Sequence, residues 1–210
     1  MTFSIQTFVL GPIENNTYLI IDDDESVAAV IDPAAPSQDL LKRIESSRCT
    51  LKHIWLTHAH FDHVGGVKWL RRNFNATVSV ALHKDDLDLW KNGGGSADFG
   101  FEFDAGETPD LIIDEQSSIF FGSHEFNILH TPGHTKGHVT YYSPENKIAF
   151  VGDLIFYHGI GRTDLDVSND QDLFKSIREK IFTLPDATIL YPGHGPKTSV
   201  AEEKSNNPLL

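Results

Sequence analysis

The chain has 210 residues, 40% hydrophobic and 22% charged, the size and balance of one soluble globular domain. Seventeen basic against 30 acidic side chains leave a net charge of −13, which argues against a basic nucleic-acid-binding face and against docking on an anionic membrane. One cysteine, Cys49, excludes an internal disulfide and a thiolate-rich zinc module, so the 11 histidines and the carboxylates are the available metal donors.

The stretch from Met1 to Phe8 has no cationic region, no long apolar core and no small-residue cleavage site, so it does not read as a secretion signal. No apolar run approaches the ~20 residues that span a bilayer. The expectation is a cytoplasmic protein that acts on a small molecule, with no membrane and no nucleic-acid partner. No linker, repeat or low-complexity tract interrupts the sequence, so residues 1–210 read as a single domain.

Short strand-like runs come first, at 4–10, 16–22 and 26–31, split by Gly11-Pro12 and by the acidic turn Asp22-Asp23-Asp24-Glu25. That acidic run reads as a solvated hairpin tip. Residues 37–46 have helical spacing of Leu40, Leu41 and Ile44, and 53–56 is a short apolar strand. Residues 64–74 read as one helix with Val67, Leu70 and Phe74 on a face, 78–81 as a strand and 84–90 as a helix. The segment 91–109 is the one long irregular stretch, carrying Gly93-Gly94-Gly95 and then Phe99, Phe101 and Phe103; such stretches are often functional. Strand-like runs follow at 111–113, 118–121, 125–130, 139–142 and 148–151, then a helix over 170–181 and a strand at 187–190. The fold class is α/β, with two sheets covered by helices on their outer faces.

The segment Thr57-His58-Ala59-His60-Phe61-Asp62-His63 follows an apolar strand and precedes a helix, so four ligand-type side chains fall within six residues. His58 and His60, two apart in extended chain, project to the same side. Asp62 and His63 stand where the chain starts to curl, and Gly65-Gly66 permits a tight turn beneath them. Burying so many polar groups without partners is costly, which argues against an ordinary polar loop. Three further ligand-type residues, His134, Asp153 and His194, sit in segments that directly follow apolar strands. Together they make seven candidates, too many for one tetrahedral ion and suited to two, with one carboxylate bridging. Zinc, iron and manganese all suit such donors. Two ions ~3.5–4 Å apart can share a water and lower its pKa towards ~7, giving a hydroxide that attacks a carbonyl carbon.

These residues strongly resemble the metallo-β-lactamase superfamily, in order and over nearly the whole chain. Asn15-Asn16-Thr17-Tyr18, Val30-Ile31-Asp32-Pro33, Thr131-Pro132-Gly133-His134-Thr135-Lys136-Gly137-His138, Gly161-Arg162-Thr163-Asp164 and Pro192-Gly193-His194-Gly195 look like the glyoxalase II-like branch, in particular the short bacterial hydroxyacylglutathione hydrolases. The resemblance implies an αβ/βα four-layer sandwich with two mixed sheets. It implies two divalent metal ions, the first held by His58, His60 and His134, the second by Asp62, His63 and His194, with Asp153 bridging. Asp62 would also orient the attacking water. His130 and His138 belong to the pattern without being ligands, and His53, His83, His124 and His158 match no ligand position.

The resemblance further implies a hydrolase of S-D-lactoylglutathione or related hydroxyacylglutathione thioesters. Sixteen residues follow His194, so the C-terminal helical domain of the long enzymes is absent, and Gly195-Pro196 replaces a tyrosine found there. Arg162 aligns with a glutathione-contacting position and can clamp a substrate carboxylate, or it can instead pair with Asp164 or Asp166. The phenylalanines after Gly95 either wall the pocket or cap the core or a subunit interface. The rival readings are a mononuclear iron persulfide dioxygenase acting on glutathione persulfide, and a lactonase or other metallo-hydrolase of the same fold. His138 argues mildly for the hydrolase.

Overall fold

The computed structural model describes residues 3–74, 78–115 and 117–210. The chain opens with the antiparallel meander β1 (Ser4–Leu10), β2 (Asn15–Asp22) and β3 (Val27–Ile31). Helical crossovers then make the pairing parallel through β4 (Thr50–Trp55), β5 (Ser79–His83) and β6 (Leu111–Ile113), and the six form one mixed sheet in sequence order. The second sheet holds β7 (Ser118–Phe121), β8 (His124–His130), β9 (Val139–Ser143), β10 (Ile148–Gly152), β13 (Ile189–Pro192) and β14 (Thr198–Ser199), in the order β14-β13-β10-β9-β8-β7. It too is mixed, because β10 and β13 run parallel.

Side-chain alternation along the strands divides the interior into three cores. In β2, Leu19 and Ile21 face outward onto a cluster with Leu40 and Ile44 of α1 (Gln38–Ser47) and Leu70 of α3 (Val67–Asn73). Tyr18 and Ile20 face inward and pack between the sheets with Trp55, Phe126, Tyr141 and Phe150. Ala149 and Val151 of β10 face the opposite outer layer, with Leu173 of α5 (Asp170–Ser176) and Val200 of α6 (Val200–Asn206). The result is the expected four-layer αβ/βα sandwich.

Several elements differ from the sequence reading. Residues 64–74 are not one helix: α2 (Phe61–Val64) ends before Gly65-Gly66, and α3 begins afterwards. A Cβ on Gly65 would lie 2.2 Å from the Ala34 carbonyl oxygen, and Gly66 N–H donates to Pro33 at 2.6 Å, so the chain here is pressed against the loop after β3. The 84–90 helix divides into a 3-10 turn and α4 (Leu87–Lys91), and 93–99 forms further 3-10 turns instead of an irregular loop. The helix over 170–181 widens into a π-turn at Ile177–Ile181. The last long strand lies two residues later than expected, reaching Pro192. The hairpin of β11 (Ile155–Phe156) and β12 (Gly159–Ile160), together with β14 and α6, was not foreseen. Nor is the acidic turn wholly solvated: Asp22 is buried, with Oδ2 3.4 Å from Nε2 of the buried His124.

The parallel pairing of β10 and β13 positions the site. Gly152 is in register with Pro192, so the residues that follow, Asp153 and His194, emerge at the same sheet edge. β2 clamps this edge: Asn16 Nδ2 donates to the carbonyls of Pro192 at 3.0 Å and Gly195 at 2.8 Å, and the Tyr18 hydroxyl donates to Pro192 at 2.6 Å. Among the described residues no helix is long and apolar enough to cross a membrane.

Candidate metal centre

The loop after β4 is held from beneath by Asp32, a residue in the left-handed region at φ 48°. Its carboxylate accepts from Thr57 N–H at 2.8 Å, from the Thr57 hydroxyl at 2.6 Å and from Nδ1 of His63 at 2.9 Å. Because the Thr57 hydroxyl donates to Asp32, its oxygen is left to accept from Nδ1 of His58, 3.1 Å away. Nδ1 of His134 donates to the Arg162 carbonyl at 2.9 Å. Each of these three imidazoles is thereby oriented with Nε2 as the free acceptor, as metal-ligating histidines usually are.

The free nitrogens converge. Nδ1 of His60 and Nε2 of His134 face each other at 2.8 Å, a separation that two lone pairs tolerate only with a proton or cation between them. Nε2 of His63 lies 3.3 Å from Oδ1 of Asp153. Oδ2 of Asp153 lies 3.6 Å from Nε2 of His134 and 3.6 Å from Nε2 of His194. Nε2 of His194 is also 3.5 Å from Oδ2 of Asp62. The donor atoms of His58, His60 and His134 lie within 4.8 Å of one another, as do those of His58, His63 and Asp153, and those of Asp62, His63 and His194. All seven candidate residues therefore meet at one sheet edge.

The donor set fits a cation. Nε2 of His58, Nε2 of His63 and Oδ1 of Asp153 are buried polar atoms without a hydrogen-bond partner, and their convergence is what a bound cation would satisfy. Burial pushes His58 well below the ordinary imidazole range, and the imidazoles of His63 and His134 add to this. Burial and then His134 bring His60 down to about 3. Burial also opposes charge on Asp153, yet His63, His134 and His194 hold its carboxyl well below the usual carboxylate range. His63 goes the other way: burial opposes its proton, but Asp153 and Asp32 draw it well above the ordinary value. Neutral His58 and His60 beside an ionised Asp153 are donors that suit Zn, Fe or Mn, whereas His63 would have to give up its second proton to act as a ligand.

A cavity of about 640 Å³ opens over His60, Asp62, His134, Asp153 and His194. Phe61, Leu89, Phe99, Phe156 and Ile160 form apolar walls. Gly94 sits against the backbone of Ala59 and Phe61, where a Cβ would come within 2.5 Å, so the glycine turn lies directly on the histidine loop. Of the three loop phenylalanines, Phe99 walls the cavity, Phe103 packs onto the outer core, and Phe101 meets Phe61 edge-on. Arg162 is the one Lys or Arg among the described residues lining the cavity, and its guanidinium is held by Asp164 through bonds of 2.6 and 2.8 Å.

Four of the remaining histidines, His83, His130, His138 and His158, have structural partners. His138 is buried beside His58, with Nδ1 2.9 Å from the Thr131 hydroxyl. His83 and His130 stack at 4.3 Å with planes 15° apart, and Nε2 of His130 donates to the Lys136 carbonyl. Their nitrogens and the Asp85 carboxylate lie close together, but in-plane lone pairs of parallel rings do not converge on one ion. His158 pairs with Glu202 at 2.8 Å. Cys49 is half-buried, and burial raises its thiol pKa, as expected of an unreactive thiol.

Two buried acids that accept hydrogen bonds from the donor loops, Asp32 from Thr57 and Asp86 from Ala59 and Thr135, have no assigned role in the sequence reading. Asp32 follows an apolar strand, the same signal that marked Asp153. Asp86 follows two polar residues after β5 and looks like an ordinary acid in a first helical turn.

The metallo-beta-lactamase superfamily model matches residues 10–194. The hydroxyacylglutathione hydrolase GloC of Haemophilus influenzae is 36% identical over 99% of this chain and 98% of its own length. Among solved structures, the BLEG-1 B3 metallo-beta-lactamase superposes with a TM-score of 0.93 at 35% identity, covering 99% of both chains. The structure of TTHA1623 in a di-iron-bound form matches at 0.86 and 34% identity, over 98% of this chain and all of the other. With its histidine and aspartate cluster at the sheet edge, the chain belongs to the metallo-beta-lactamase superfamily.

Proposed function

We propose that residues 1–210 form one domain that acts as a binuclear metal-dependent thioester hydrolase of the glyoxalase II kind, with hydroxyacylglutathione thioesters as substrates. In this reading His58, His60 and His134 hold one ion, Asp62, His63 and His194 hold the other, and Asp153 belongs to both. The observation that carries it is the position of Asp153, whose Oδ2 stands 3.6 Å from Nε2 of both His134 and His194. The di-iron form of TTHA1623 supports two ions, and the likeness to GloC supports the substrate class.

His58, His60, His63, His134, His194, Asp62 and Asp153 would hold a pair of divalent ions, which would supply an activated water at neutral pH and a Lewis acid for the carbonyl oxygen. The protein's own residues do the rest. Burial works against an ionised Asp62, but His194 and His63 hold its carboxyl below the usual range, so it stays an acceptor that can orient water. The walls of Phe61, Phe99 and Phe156 exclude bulk water and leave a groove for the acyl arm. At the mouth, Arg162 exchanges Asp164 for a substrate carboxylate. With water as the nucleophile no serine or cysteine is used: its oxygen bonds the carbonyl carbon, the C–S bond breaks, and the water's protons end on the carboxylic acid and the thiol products.

A second reading, β-lactam hydrolysis, is favoured by the near-complete superposition on BLEG-1. The deciding experiment offers purified metal-loaded protein S-D-lactoylglutathione, a chromogenic cephalosporin, and glutathione persulfide with an oxygen electrode. Thioester hydrolysis well above the cephalosporin rate supports the proposal. Preferential cephalosporin turnover, or oxygen uptake without thioester hydrolysis, overturns it.

A further inference from the structure

We propose that Asp86 is a positioning residue that fixes the spacing between the loop carrying His58 and His60 and the loop carrying His134. The proposal rests on the reading of those three histidines as the ligands of one ion. Asp86 is 1% exposed and lies in neither loop. Its Oδ2 accepts from Ala59 N–H at 3.0 Å and from the Thr135 hydroxyl at 2.8 Å, and its Oδ1 accepts from Gly137 N–H at 2.7 Å. Ala59 stands between His58 and His60, and Thr135 directly follows His134. One carboxylate therefore ties a loop of the first sheet to a loop of the second on the side where Nδ1 of His60 meets Nε2 of His134.

Two features single this brace out. His58, His63 and His134 each have a ring N–H held by an oxygen acceptor, whereas His60 is placed by the backbone before it, and Asp86 holds that backbone. Gly137 is also required by the brace: a Cβ there would lie 2.5 Å from Asp86 N and 2.8 Å from Asp86 Cβ. The bond from Val139 N–H to the Thr57 carbonyl, at 2.8 Å, already joins the two loops at their base, so Asp86 controls the tips and not the docking of the sheets.

The chemistry of the brace is specific to a carboxylate. Three donors converge on Asp86, and two of them are backbone N–H groups that cannot rotate away. Asparagine fills the same volume but presents an N–H₂ to either Ala59 N–H or Gly137 N–H, so one side of the brace opens whichever way the amide faces.

The test is a competition titration of zinc-loaded protein against a chromophoric chelator, for wild type, Asp86→Asn and Thr135→Val. Thermal melts of the same samples report stability, and cobalt substitution gives a spectrum for each site. The expected result for Asp86→Asn is one ion released ~10–100-fold more readily, with the second within about twofold of wild type, the range typical of lost outer partners of a metal site. Its cobalt spectrum changes at the weakened site only, and kcat falls while KM holds. Thr135→Val, which removes one of the three bonds, shows the same selective weakening to a smaller degree and keeps the proposal testable if Asp86→Asn does not fold. Equal weakening of both ions in step with a lower Tm, or no change in either, overturns the proposal. Wild-type stoichiometry comes from the same titration: a single ion there defeats the binuclear reading, while Asp86 is still judged by whether that ion's affinity falls.

Discussion

Nδ1 of His63 donates to the carboxylate of Asp32 at 2.9 Å, linking the end of β3 to the loop that follows β4. The same carboxylate holds Thr57, whose hydroxyl in turn accepts from Nδ1 of His58. One buried acid thus sets the orientation of two imidazoles that face different parts of the donor cluster.

Replacing Asp32 with asparagine turns one of its two acceptor oxygens into an N–H₂ donor, so the side chain can no longer accept from Thr57 N–H on one side and from the Thr57 hydroxyl and His63 Nδ1 on the other. The expected outcome is a ~10–100-fold loss of metal affinity, spread over both ions, in contrast to the selective effect of Asp86→Asn. Chelator competition measures it. Unchanged affinity at the His63 side would show that the Asp32 contact is incidental.

Asp153→Asn removes the carboxylate that lies between His63, His134 and His194. Its loss should exceed the ~100-fold upper range of outer partners, for both ions, with hydrolysis near background. Gly193→Ala perturbs the same place without replacing a donor, because the added Cβ would lie 2.0 Å from Oδ1 of Asp153 and 2.7 Å from Cε1 of His63 and must displace both. Metal analysis after desalting reads both variants. Full metal content in Asp153→Asn would refute its bridging role.

Arg162 and Asp164 form an ion pair at the mouth of the cavity, and their effects on KM should oppose one another. Arg162→Ala is expected to raise KM for a glutathione thioester by about tenfold, as loss of a charge-assisted hydrogen bond of ~1.4 kcal/mol would do, and to leave a small neutral thioester unchanged. Asp164→Asn frees the guanidinium and should lower KM for the glutathione thioester by about two- to fivefold, the scale of an exposed pair. Equal effects on both substrates would mean that Arg162 only ties down its own loop.

His83 is kept neutral in the folded chain, its pKa lowered to about 4 by burial and then by His130. In the unfolded chain it titrates near ~6.5. Between those values the unfolded state binds more protons, so the contribution of His83 to stability falls as pH drops through that window and is constant above it. His83→Phe keeps the stack on His130 and removes the proton, at the fixed cost of the Asp85 N–H bond to Nδ1. In metal-free protein, the urea midpoint of the variant should gain on wild type from pH 7 to pH 5. Parallel curves would contradict this.

The donor residues were legible because each follows an apolar strand whose hydrophobic run marks its end: β4 before His58, β8 before His134, β10 before Asp153 and β13 before His194. The two helix-covered sheets were legible from the order of strands and helices, but the division into three cores was not, because β2 and β10 are buried along their whole length and read as continuous runs. Nor were the short elements. β11 and β12 have two residues each and exist through their pairing, Ile155 with Ile160, while β14 exists through β13. The break at Gly65-Gly66 depends on the loop after β3, 31 residues upstream in the case of Ala34, which no local pattern reports. Asp86 was hidden for the same reason, since its three donors lie 27, 49 and 51 residues away.

A two-ion site that cleaves thioesters can be tested on one preparation. The chain is loaded with zinc, freed of excess metal, and analysed both for metal per chain and for turnover of S-D-lactoylglutathione. Close to two ions per chain are expected, with hydrolysis that disappears on chelation and returns when zinc is restored. One ion per chain together with an absence of thioester hydrolysis would contradict this.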